Sequence, residues 1–75
     1  MNDWSKAERS FFRVDGGVAV VWKLPGTWSG RVIRAEGGWM PCDPLDASET
    51  GSPVSEAEAT ELAGEPLPAV PPARS

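Results

Sequence analysis

Few of the 75 residues carry side chains able to do covalent chemistry. The chain has one cysteine, Cys42, and neither histidine nor tyrosine. Histidine is the commonest general base, and a thiol with no base to activate it is a poor catalyst. Cys42 lies in the turn-like PCDP, residues 41–44, and reads as a small, half-buried thiol. Asp43, Asp46 and Glu49 follow at a spacing of three, whereas a calcium loop of the EF-hand type needs alternating ligands and a glycine. One cysteine without histidine also falls short of a zinc site. The chain is expected to be no enzyme and to hold no metal or cofactor.

A second candidate for chemistry is a repeat. RVDGGV, residues 13–18, recurs as RAEGGW, residues 34–39. Paired glycines can present backbone N–H groups to an anion. Here Asp15 and Glu36 precede the pairs and would repel a phosphate, and neither copy follows a P-loop or GxGxxG pattern. Gly-Gly also supplies positive φ at both central positions of a type I′ hairpin turn. FFRV and VAVVWK flank Gly16–Gly17, while RVIRA and WMP flank Gly37–Gly38. These β-branched and aromatic runs predict strands. Two tandem hairpins follow, a small antiparallel meander of about four strands, with LPGTWSG, residues 24–30, as the loop between them.

Alternation along the first hairpin puts Phe12, Val14, Ala19 and Val21 on one face and Phe11, Arg13, Val18, Val20, Trp22 and Leu24 on the other. Both faces are apolar, so both need a cover. Ser5-Lys6-Ala7-Glu8 has the form of a capping box and could start a helix that brings Trp4 over the sheet. A better helix is predicted over residues 55–63, with Ser55 as N-cap, Glu58 at its third position and Gly64 then Pro66 as its stop. Another chain, a copy or a different protein, is the third possible cover.

The chain divides near residue 45. All six aromatics lie before residue 40, and residues 1–41 have a net charge of +2. Residues 42–75 carry −6, which together give −4. This predicts a β-meander head, residues 1–45, and an acidic, Pro-rich tail, residues 46–75, disordered apart from the short helix. EPLPAVPPARS, residues 65–75, is prone to polyproline II geometry and contains Pro68-Ala-Val-Pro71. Arg74 stands three beyond Pro71, outside the familiar register of an SH3 ligand, so a solvated chain end is expected there. The longest aliphatic-aromatic run, Val18 to Trp22, is too short to span a membrane. MNDWSKAERS at residues 1–10 lacks an apolar core, so no secretory signal is expected.

Protein contact is the function class with positive support. Trp, Phe and Arg dominate interface hot spots, and four tryptophans are many for so small a head. The candidate partner-binding residues are Trp28, Trp39, Trp22, Arg31 and Arg34. Trp28, in TWSG, and Trp39, beside a turn, are the best placed for exposure. Nucleic-acid binding through a small β module is disfavoured. Arg31 and Arg34 are three apart in one strand, point to opposite faces and form no basic stripe, and the tail is acidic.

FFRVDGG, GWMP and SEAEATEL together resemble small accessory proteins encoded by phages and prophages. The resemblance spans most of residues 10–63 and implies a non-catalytic role: an adaptor or inhibitor that binds a host protein, or a structural or decoration protein of the virion. It implies the host cytoplasm or the virion as location, and carries over no functional residue.

Overall fold

The computed structural model describes residues 3–34 and 37–72. Strands β1 (Glu8–Val14), β2 (Gly17–Leu24), β3 (Thr27–Arg34) and β4 (Trp39–Cys42) form the expected antiparallel meander. Among the described residues the sheet has five strands, not four. After helix α1 (Pro44–Thr50), strand β5 (Ser52–Val54) pairs antiparallel with β1, giving the order β4-β3-β2-β1-β5. Ser-Pro-Val is too short, and too compromised by its proline, to stand out in sequence. Pro53 is tolerated because β5 is an edge strand. Helix α2 (Glu56–Ala63) is the last regular element among the described residues.

The first turn corrects the expected geometry. Val14 pairs with Gly17, so Asp15 and Gly16 are the central residues, and only Gly16 has positive φ, at 80°. A type I′ turn on Gly16–Gly17 is therefore excluded. Gly17 is the first residue of β2 for a different reason: a Cβ there would run into the Ile33 carbonyl of β3. The expected loop over residues 24–30 is also shorter. Leu24 pairs with Thr27, leaving only Pro25–Gly26, with Gly26 at φ 80°. Proline followed by positive-φ glycine matches a type II turn. Trp28 consequently lies in β3 and not in a loop. Gly37 and Gly38 both have positive φ, and the Gly37 N–H donates to the Arg34 carbonyl at 2.8 Å. Glu36 lies outside the described residues, as does Arg74.

Both faces are covered by the second half of the chain. α1 crosses from the β4 edge to the β5 edge over β1, β2 and β3. Its Ala47 is buried with Ala19, Val21 and Val32, against Phe12, Val14 and Cys42. Asp43 caps it, accepting from the Leu45 N–H at 2.9 Å, and Pro44 occupies a first-turn position where no N–H is needed. On the opposite face α2 places Ala59 against Val18 and Ile33, with Phe11, Trp39, Val54 and Leu67 around them. Its limits match those expected. Ser55 Oγ accepts from the Glu58 N–H at 3.1 Å, and Gly64 closes the helix in the left-handed region. The sorting of the first hairpin into two apolar faces holds residue by residue, because Phe11 opposes Val20 and Phe12 opposes Ala19.

The capping box at Ser5 does not form. Trp4–Lys6 is a single 3-10 turn capped by Asp3, and Glu8 already belongs to β1. The acidic, Pro-rich end of the tail was expected to be disordered. Residues 65–72 have neither helix nor strand, and the structure seats them on the α2 face of the sheet. Among the described residues, no helix is long and apolar enough to cross a membrane.

Candidate protein-interaction surface

The β2–β3 register sets Trp28 opposite Lys23 on the α1 face of the sheet. The Lys23 ammonium lies 4.9 Å from the Trp28 ring centroid, within cation–π range. Trp28 is 42% exposed. β4 pairs with Gly30–Ile33, so among the described residues Thr27, Trp28 and Ser29 have no strand on their outer side. Two further large apolar side chains are exposed, Met40 of β4 at 57% and Leu45 of α1 at 56%. Trp28 and Met40 stand two residues to either side of the Gly30–Cys42 pair, where the chain leaves β4 for α1. Gly30 permits that departure. A Cβ there would lie 3.0 Å from the Cys42 carbonyl oxygen, 3.1 Å from its Sγ and 3.2 Å from the Pro44 Cα.

The other sequence candidates are placed differently. Trp22 is fully buried, and its indole N–H donates to the Ala69 carbonyl at 3.0 Å. Trp39 is half-buried and donates to the Glu65 carboxylate at 2.9 Å. Arg31 donates through Nε and Nη2 to the Pro72 carbonyl, at 3.2 and 2.9 Å. Its remaining nitrogen is held by the Ser29 hydroxyl at 3.1 Å and the Gly30 carbonyl at 2.8 Å. Arg34 is exposed on the α1 face, with Nε 3.4 Å from the Asp15 carbonyl. Arg31 and Arg34 thus serve opposite faces, as their spacing requires. Trp22, Trp39 and Arg31 hold the chain's own tail, and Trp28 and Arg34 face solvent.

Arg9, Lys23, Met40 and Leu45 were not singled out by sequence. Reading Pro25–Gly26 as a two-residue turn would have found Lys23, since that turn fixes the Lys23–Trp28 pair. No sequence signal marks Arg9, which reaches the tail at the Pro68 carbonyl (3.3 Å) and Glu56 (3.0 Å).

Two clefts bear on chemistry. The first, about 120 Å³, is floored by Ala19, Val32 and Cys42 beneath α1 and rimmed by Arg34, Asp43 and Asp46. Burial raises the Cys42 pKa above its ordinary value, more than Arg31 and Arg34 lower it, with Asp43 and Asp46 also raising it. The thiol is therefore protonated at neutral pH and a poor nucleophile. Among the described residues no three His, Cys, Asp or Glu side chains come together in a set able to hold a metal ion. The second cleft, about 400 Å³, brings both glycine-bearing turns together, with Gly16, Gly17 and Gly37 beside Leu62 and Glu65 of the returning chain. Arg34 and Glu65 line it with opposite charges, so the cleft has no net positive charge to favour an anion. No protein-family model, no curated protein and no solved structure matches the chain.

Proposed function

We propose that this chain is a non-catalytic protein-binding adaptor or inhibitor of the phage-encoded accessory kind, acting on a host protein in the host cytoplasm. Its contact surface centres on Trp28. The observation that supports this reading is the exposure of Trp28 on an unpaired stretch of β3, with Met40 and Leu45 also exposed. An aromatic ring held by a neighbouring cation offers a large contact area with little side-chain entropy to lose. The unpaired stretch adds a second element of recognition, main-chain hydrogen bonding to a partner's strand. The original group of five narrows accordingly, since Trp22, Trp39 and Arg31 are engaged by residues 65–72.

The test is affinity capture from a host lysate with the parent chain and with Trp28→Ala. Removing an interface hot spot weakens binding by about 2 kcal/mol or more, roughly thirtyfold. A stoichiometric host protein retained by the parent and lost by the folded Trp28→Ala variant supports the proposal. Equal retention by both refutes it. Recovery of capsid components or self-assembled chain supports a virion structural or decoration protein instead.

A further inference from the structure

The contacts of residues 65–72 form a pattern of their own. Each strand of the meander contributes one side-chain donor to this segment. Arg9 of β1 reaches the Pro68 carbonyl at 3.3 Å, and Trp22 of β2 the Ala69 carbonyl at 3.0 Å. Arg31 of β3 holds the Pro72 carbonyl at 2.9 and 3.2 Å, and Trp39 of β4 the Glu65 carboxylate at 2.9 Å. Leu67 fills the apolar part of the same face, beside Val18 and Ile33.

Three of these contacts recognise main-chain carbonyls, so they select a backbone path more than a set of side chains. Indole and guanidinium groups donate and do not accept. A surface that only donates suits a segment rich in acceptors and poor in donors. Residues 65–72, EPLPAVPP, are such a segment: four of the eight are prolines, which have no backbone N–H. Prolines also hold the chain extended before binding, which lowers the entropy lost on docking. The Trp22 indole supplies the second half of the argument. Trp22 is fully buried, and its N–H is satisfied by the Ala69 carbonyl. Without an occupant that donor has no protein partner, so the groove requires an acceptor-rich strand or water in its place.

We propose that the α2 face between β1 and β4 is a receptor groove for proline-rich extended peptides. Residues 65–72 are its resident occupant in cis, and a partner's proline-rich segment displaces them in trans. The site is separate from the Trp28 surface, which lies on the opposite face. A tethered tail competes at an effective concentration of about a millimolar, so an equivalent free peptide binds the intact chain only weakly. A segment with further contacts of its own overcomes that competition.

The probe is a synthetic peptide with the sequence of residues 64–75, carrying an N-terminal fluorophore. Its binding to the full-length chain is followed by anisotropy, and the Trp22 indole resonance by NMR. Leu67→Asp in the full-length chain weakens the resident tail without altering any donor. It is expected to bind the peptide at least about tenfold more tightly than the parent. Adding Arg31→Ala, or replacing the peptide's prolines with alanine, should weaken that binding about tenfold, while adding Trp28→Ala should leave it unchanged. If Leu67→Asp unfolds the chain, glycine at Pro66, Pro68, Pro71 and Pro72 keeps Leu67, removes the preorganisation and serves the same test. Equal binding by the parent and the loosened-tail chain overturns the proposal, as does indifference to Arg31→Ala or to the peptide's prolines. A concentration-dependent dimer that exchanges tails, seen by sedimentation, would make the occupant a second copy and overturn the commitment to a partner peptide. Loss of peptide binding on Trp28→Ala would overturn the placement of the site on the α2 face.

Discussion

Replacing Trp22 and Trp28 in turn separates a tryptophan that holds the fold from one that is free for contact. Trp22 is fully buried, and truncation to alanine leaves a large void beneath the tail. Such substitutions destabilise by about 3–5 kcal/mol. A chain of 75 residues has about 4–11 kcal/mol of stability in total, at roughly 0.05–0.15 kcal/mol per residue. Trp22→Ala should therefore leave the protein marginally folded or unfolded. Trp28 is 42% exposed, and its alanine variant loses chiefly the contact with Lys23, worth about 0.5–1 kcal/mol.

Each kcal/mol moves the melting temperature of a domain this size by about 4–8 °C. Trp22→Ala should lower it by at least about 12 °C and Trp28→Ala by less than about 8 °C. Trp22→Phe isolates the hydrogen bond. It keeps most of the apolar contact and removes the indole N–H, and the exposed Ala69 can turn its carbonyl to water, so a loss of about 1–2 kcal/mol is expected. Far-ultraviolet circular dichroism under heat and urea measures all three. Equal destabilisation by Trp22→Ala and Trp28→Ala would refute the division of roles.

The turn correction predicts that Gly16→Asn leaves the fold intact, because asparagine accepts positive φ, whereas Gly17→Ala destabilises by about 1–3 kcal/mol as its Cβ meets the Ile33 carbonyl. The urea midpoints check this, and the opposite order would return the turn to Gly16–Gly17. Burial raises the Cys42 pKa, so the folded chain holds that proton more tightly than the unfolded chain. The associated stability is present below the unfolded pKa and is lost as pH rises through the folded one. The melting temperature of the parent should thus fall from about pH 8 to about pH 10 more steeply than that of Cys42→Ala; parallel curves would contradict it.

Much of the meander is readable in sequence because alternation in FFRV and VAVVWK is strong, and α2 because Ser55, Glu58 and Gly64 mark both its ends. The rest was hidden for physical reasons. β5 is three residues with a proline, and its strand character comes from pairing with Phe11–Arg13, not from propensity. α1 is a seven-residue crossover whose buried residue is only an alanine. The expected cover for one face, the capping box at Ser5, lost to strand pairing that begins at Glu8. Two adjacent glycines invited one turn register, and a steric contact with Ile33 selected another. Among the candidate residues, the separation of Arg31 from Arg34 followed from strand parity. The hydrogen bond from the Trp22 indole to Ala69 did not, because carbonyl acceptors in a proline-rich segment carry no residue signature.

Hydrogen exchange of the indole N–H groups, read from nitrogen-15 labelled full-length chain, tests most directly whether the tail occupies the sheet and leaves Trp28 free. Amide exchange of the tail would miss this, since the tail is held through its carbonyls. The Trp22 indole N–H should exchange far more slowly than that of Trp28, with Trp39 between them, and Leu67→Asp should accelerate Trp22 and Trp39 while leaving Trp28 unchanged. A Trp22 indole that exchanges as fast as Trp28 in the parent chain would contradict the docked tail and the assignment of Trp28 as the free contact residue.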